Sequence, residues 1–408
     1  MAGKTDVRES QEFFLNVPEK LDDPFPDLAY FRENKPVFYH EGLDQWFVFK
    51  HDDVSKMFSD PRVSADRMKG FVDAAPEEVR DDLRKVAPYL QMFVLFHDEP
   101  DHGRIRKFLH RGFNAEAIRG LGGQIQSIAD ELLDKVQDTG RVDVSGDLGF
   151  LLPAYVLSDF LGFPEKDRHR VVQWSLDFIG FFNVVPITAG TTASMVRSAT
   201  EMIEYTRKLL AERKEHPKDD FLGLLAQADP AEISEEEVVA NAMLLLLAGH
   251  VAPRNLIGNA VYLLLEHPDQ FDKLKNDPSL LDGVIEETLR YEPPVTLIPR
   301  ITLEEIELDG QKIPAGSIVQ LSIASANRDA ARFTDPDRFD ITRKRGGALS
   351  FGHGPHGCLG ALLALEEARI SLSTLFRRMP DLRLDETREI KWYRNAANRG
   401  PESLPVVF

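Results

Sequence analysis

The chain has 408 residues, 43% hydrophobic and 28% charged, which is enough apolar content to bury a sizeable core and too much for a disordered or collagen-like chain. Forty-nine basic residues against 67 acidic ones leave a net charge of -18, which repels a polyphosphate backbone and argues against a nucleic-acid binder. One cysteine excludes an intramolecular disulfide and a Cys-rich zinc module, and points to a reducing compartment.

In chain order, the N-terminus MAGKTDVRESQEFFLNVPEK mixes both charge signs and has no apolar core, so no signal peptide is expected. Short strand-like runs follow at 37–49. Apolar residues at three- and four-residue spacing predict helices over 118–136, 201–215, 235–266 and 361–378. A second group of strands is expected over 298–323, turned at Gly310 and at Pro314-Ala315-Gly316. No repeat or low-complexity linker divides the chain. The expectation is a mainly α fold with small β-sheets, in one large helical domain over residues 1–408.

The longest predicted helix starts on a capping-box pattern, Ser234 with Glu237 three residues later. It then runs apolar on nearly every face, as a helix through the molecular centre would. Pro253 lacks the N–H that would bond the Gly249 carbonyl, so a kink is expected between them. The apolar stretch 238–252 is broken by Asn241, Gly249 and His250, short of the roughly 18 to 20 clean residues of a membrane span. A cytoplasmic protein without a membrane segment is expected.

The segment FGHGPHGCLG, residues 351–360, surrounds the one thiol with four glycines and a proline. Glycines permit positive φ and close backbone approach, Pro355 stiffens the loop, and the helix that follows is expected to lower the thiol pKa and donate hydrogen bonds to sulfur. These residues resemble the haem-binding signature of the cytochrome P-450 superfamily, Phe-x-x-Gly-x-x-x-Cys-x-Gly, carried here by Phe351, Gly354, Cys358 and Gly360. The resemblance implies that Cys358 is the proximal thiolate ligand of haem b iron, with Phe351 packed beside the sulfur. Further motifs stand in the family's order. Glu287-Thr-Leu-Arg290 matches its Glu-x-x-Arg motif, and the segment from Phe333 to Phe339 resembles the one whose arginine, Arg338, would complete a buried structural triad. The run from Asp98 to Arg106 resembles the helix that holds haem propionates, so His102 and Arg106, with Arg300 and His356, would neutralise the two propionates. His97, His110 and His353 show no metal-ligand spacing and are read as structural or exposed.

The central helix departs from the family's Ala-Gly-x-acid-Thr pattern. It reads Ala248-Gly249-His250-Val251-Ala252-Pro253, with neither the acid nor the alcohol that normally organise proton delivery. Losing general acid assistance costs about 10² to 10⁴ in rate. The leading expectation is therefore a monooxygenase whose protons arrive with the help of the substrate or of water, acting at a site that includes Cys358, Ala248, Gly249, Val251 and Ala252. Peroxide use, oxidative coupling or rearrangement is the alternative, and a non-catalytic haem-thiolate binding or gas-sensing protein is the second. The resemblance implies electrons from NAD(P)H through a separate ferredoxin reductase and ferredoxin, and a monomer is expected. Arg104, Lys107 and Arg111 on one helical face, with Arg343, Lys344 and Arg345 before the cysteine loop, are expected to steer that acidic partner. Apolar segments at 68–96 and 171–196 are expected to form the pocket of a lipophilic, polyketide- or terpenoid-like substrate.

Overall fold

The structure is a computed structural model that describes residues 13, 15, 17–68, 70–182, 188–393 and 395–408. Its central helix, Glu235–Glu266, organises the rest. Both halves of the capping box form: the Glu237 N–H donates to Ser234 Oγ at 3.2 Å, and the Ser234 N–H donates to the Glu237 carboxylate at 2.8 Å. Every residue from Val238 to Leu246 is buried. A helix apolar on all faces is stable only when surrounded, and this one is. It packs against Leu151–Leu161, Leu281–Tyr291, Ala361–Arg378 and a π-helical turn at Val144–Phe150.

The helices Glu235–Glu266 and Ala361–Arg378 match the predicted ranges residue for residue. The 118–136 prediction is instead two helices, Ala115–Gly120 and Gly122–Gln137, meeting at Leu121. Gly120, Gly122 and Gly123 weaken helix propensity there, and Asn114 caps the first piece by accepting the Glu116 and Ala117 N–H groups. The 201–215 prediction begins earlier, at Ala189, because Thr188 supplies a capping box. About 58% of the chain is helical, so the mainly α class is correct.

The five-stranded sheet has the order Val37–His40, Gln45–Val48, Ile318–Ser322, Leu297–Thr302, Val63–Ser64. Only the Gln45–Val48 pairing with Ile318–Ser322 is parallel. Gly310, in the turn of a separate two-stranded hairpin Ile306–Leu308 and Gln311–Ile313, and Gly316, just before Ile318–Ser322, have φ of 73° and 80°. One described stretch, Val144–Leu161, is long and apolar enough to cross a membrane, but 67% of it is buried against the core.

Candidate functional site

The 351–360 loop is held by its own backbone. Cys358 N–H donates to Phe351 O at 2.7 Å and Gly357 N–H to Gly354 O at 3.0 Å. Gly354 sits at φ 70°, and a Cβ there would come within 2.5 Å of Ser59 Oγ and 3.0 Å of Phe58 O. Both the dihedral and the close approach therefore require glycine. Gly360 N–H donates to the Cys358 sulfur. The sulfur opens into an internal cavity of about 320 Å³, so it is exposed to that space while protein encloses it from bulk solvent. Burial pushes the Cys358 thiol up, against the Gly360 N–H and the Arg106 charge, which pull it down. This corrects the expectation of a depressed thiol, because desolvation outweighs the helix terminus. A metal ion bound here would supply the missing compensation, since a ligating thiol is deprotonated outright.

The central helix forms another wall. Ala248, Gly249, Ala252 and Pro253 line the cavity, while Val251 does not. The expected kink is present, with Gly249 at φ -86°, ψ 15°. A Cβ on Gly249 would lie 2.5 Å from Leu157 Cδ1, so a larger residue there requires the Leu157 side chain on the neighbouring helix Leu151–Leu161 to shift. His250 pins the kink. Its Nε2–H donates to Phe150 O at 2.7 Å and its ring stacks on Phe150 at 4.1 Å. Burial lowers its pKa to about 4, so the ring is neutral. Of the two expected pocket segments, 68–96 supplies Val94 and Leu95 to the cavity. No described residue of 171–196 lines it, and residues 183–187 lie outside the described residues. Phe181 instead meets Phe71 edge-on at 6.3 Å.

Cationic and imidazole groups gather near the loop. His102, on the helix Asp101–Leu109, packs against His356 with ring centroids 4.0 Å apart and planes tilted by 41°, and both line the cavity. Burial lowers the His102 pKa, and burial with the neighbouring His102 and Arg300 lowers His356 to about 3. Both are therefore neutral hydrogen-bond donors near neutral pH, whereas Arg106 and Arg300 carry the charge. Arg106 donates to Gly357 O at 2.6 Å, tying this helix to the cysteine loop. Two further residues escaped the sequence reading. Arg67 is half-buried near Arg300, and its enclosed Nη1 has no acceptor among the described residues. Glu367, on the helix Ala361–Arg378, is the only carboxyl among the described residues that line the cavity, and burial raises its pKa well above the usual carboxylate range. Neither belongs to a motif, so no sequence signal pointed to them.

The structural triad needs a correction. Glu287 and Arg290 form a buried bidentate pair, 2.8 Å at both contacts, and the third member is Arg343, whose Nε donates to Glu287 Oε1 at 3.0 Å. Arg338 has an exposed side chain and contributes only its backbone carbonyl, which accepts from Arg290 and Arg343. The basic patch is also reduced. Arg104 pairs with Asp101 and Glu237, Arg111 with Glu232, and Arg345 with Asp282, leaving Lys107 and Lys344 exposed.

The described residues fit iron protoporphyrin. A single sulfur donor faces an apolar cavity, and a Cβ on neighbouring Gly360 would meet no protein atom within 4 Å. Buried arginines, one with an orphaned N–H, await carboxylates that the protein does not provide.

A cytochrome P450 family profile matches residues 69–380. Cytochrome P450 107B1 of Saccharopolyspora erythraea is 39% identical over 373 residues, covering 90% of this chain and 89% of the relative. The 6-deoxyerythronolide B hydroxylase of the same organism is 34% identical over 399 residues, covering 94% and 96%. Among solved structures, P450BioI in complex with an acyl carrier protein ligated to hexadec-9Z-enoic acid superposes with a TM-score of 0.88 at 32% identity, covering 96% of this chain and all of that one. With a cysteine loop of the family's form on this fold and relatives spanning nearly its whole length, the chain belongs to the cytochrome P450 family and is a haem-dependent monooxygenase.

Proposed function

We propose that this chain, acting as a monomeric single-domain enzyme of the cytoplasm, inserts one oxygen atom into a lipophilic secondary metabolite of polyketide or terpenoid type. Protons are delivered by water that the substrate and the kinked backbone hold together. The observation that carries this reading is the surface of the central helix: Ala248, Gly249, Ala252 and Pro253 face the cavity without a carboxyl or hydroxyl among them. The Gly249 carbonyl also has no helical donor, since position 253 is proline.

Haem held by Cys358 supplies the dioxygen chemistry, with electrons from NAD(P)H through ferredoxin reductase and ferredoxin. The chain's own groups do the rest. Gly360 N–H moderates the charge on sulfur, while His102, Arg106, Arg300 and His356 hold the propionates. Leu244, Val295 and Ile298 keep the cavity dry and receive the apolar body of the substrate. The free Gly249 carbonyl accepts a hydrogen bond from a water whose second partner is a substrate hydroxyl or carbonyl. Glu367 lines the same cavity, where burial favours its uncharged form.

A second reading, peroxide-driven oxidation, coupling or rearrangement, is favoured by the same missing acid and alcohol, because that chemistry needs no relay. The double variant Val251→Asp with Ala252→Thr separates them. Restoring the pair should leave product formed per NADPH unchanged or lower, since the substrate already organises the water. A rise in product per electron with no loss of turnover would show that the chain is merely short of a relay. Equal or greater turnover with hydrogen peroxide alone would favour the second reading. The name of the P450BioI complex makes carrier-borne delivery a further arm: the free acid and its carrier thioester are compared as substrates.

A further inference from the structure

Strand pairing brings Arg67 to Arg300. Val63–Ser64 runs antiparallel to Leu297–Thr302, with Val63 opposite Thr302 and Ser64 opposite Ile301, so the chain leaving Ser64 passes alongside Arg300. Among the described residues neither guanidinium is paired with a carboxylate by a hydrogen bond. Arg67 lies over the Phe96 ring at 4.7 Å, and its Nη1 is shut off from solvent with no acceptor among the described residues. Arg300 gives one N–H to Pro299 O at 3.0 Å and rests on Phe58 at 5.7 Å. Its neighbouring carboxylate, Asp98, is already engaged by the Ser64 hydroxyl and by the Ala65 N–H at 2.9 Å. Burial lowers both arginines to about 10, so both remain charged near neutral pH. Two like charges taken out of water side by side are costly, and removing that cost takes an anion between them. Phe58 and Leu95, the neighbour of Phe96, line the cavity, which sets the pair at its edge.

We propose that Arg67 and Arg300 form a two-pronged clamp for a carboxylate at the edge of the cavity. Paired N–H groups from two planar forks match the two oxygens and the charge of a carboxylate. Two sources carry that chemistry: a propionate of the haem, an arm that rests on the haem reading of the cavity, and a carboxylate of the substrate.

The test uses the Arg67→Gln and Arg67→Lys holoenzymes in two measurements. In haem transfer to excess apomyoglobin, Arg67→Gln should release haem about tenfold faster than the unsubstituted protein and Arg67→Lys at an intermediate rate, if the clamp holds a propionate. In spin-state titrations with dodecanoic acid and its methyl ester, Arg67→Gln should erase the preference for the acid, if the clamp holds the substrate. Either result supports the clamp. Unchanged haem release together with an unchanged acid-to-ester ratio in both variants overturns it. So does a Lys variant identical to the Gln variant in the readout that moves, because the loss is then packing on Phe96 and not charge. Should Arg67→Gln fail to retain haem, Arg67→Lys decides alone: faster haem release or a weaker preference for the acid than in the unsubstituted protein supports the clamp, and both unchanged overturn it. The carbonyl complex of the reduced, unsubstituted protein reports Cys358 ligation independently, so failure of the clamp is told apart from failure of the haem reading.

Discussion

On one side of the cavity the 351–360 loop holds its shape by local requirements, whereas the central helix is shaped by what packs behind it. In the loop, a positive φ at Gly354, the backbone bond from Cys358 to Phe351 and the Gly360 N–H on sulfur each belong to a residue the motif names. In the helix, Leu157 crowds position 249 and Phe150 dictates the orientation of His250, and both come from elements about 100 residues away. The cofactor side therefore rests on a segment whose shape is set largely by its own residues. The substrate side can lose its acid and alcohol and still keep its kink, because the kink depends on neighbours and on Pro253.

The largest expected effect breaks the loop side outright. Cys358→Ser should abolish oxygenation and the thiolate spectrum of the reduced carbonyl complex, read by absorption spectroscopy, while leaving the fold by circular dichroism. Next, Arg343→Ala should cost about 1 to 3 kcal/mol, because it removes one charged donor from the buried Glu287 carboxylate, which keeps Arg290, as chemical denaturation would measure.

On the helix side, His250 is held neutral with a pKa near 4 against about 6.5 in the unfolded chain. The unfolded state therefore binds more protons between these values, so stability falls as pH drops from 6.5 towards 4. That contribution is on the order of 3 kcal/mol, and melting curves of His250→Gln should show a shallower acid limb. Gly249→Ala should destabilise by about 1 to 3 kcal/mol through collision with Leu157, and Leu157→Ala in the same chain should recover part of the cost, as a double-mutant cycle would show. The smallest effect is Arg338→Ala, expected to stay within about 0.5 kcal/mol because only its backbone carbonyl takes part. A large loss there would restore Arg338 to the triad.

Local pattern was enough to read the central helix, the cysteine helix and the turn glycines, since period, caps and positive φ are properties of neighbouring residues. It failed at Leu121, where clustered glycines outweighed the apolar period, and at 189–200, where the Thr188 cap starts the helix early. The choice between Arg338 and Arg343 was not legible: both lie in one polar loop, and which of them reaches Glu287 depends on how that loop folds back over the helix Leu281–Tyr291. Arg104 and Arg111 read as free charges because Glu232 and Glu237 are more than 120 residues distant in sequence.

By itself the sequence determined the class of fold, the single thiol in its glycine loop and the absence of the acid and alcohol on the central helix, because each is written in residue type and spacing. Only the tertiary structure decided which way the Cys358 thiol shifts, which arginine completes the pair with Glu287, and that the Arg67 Nη1 and Glu367 are enclosed near or within one cavity. Desolvation and partnership depend on what surrounds a group in space, and no spacing along the chain records that.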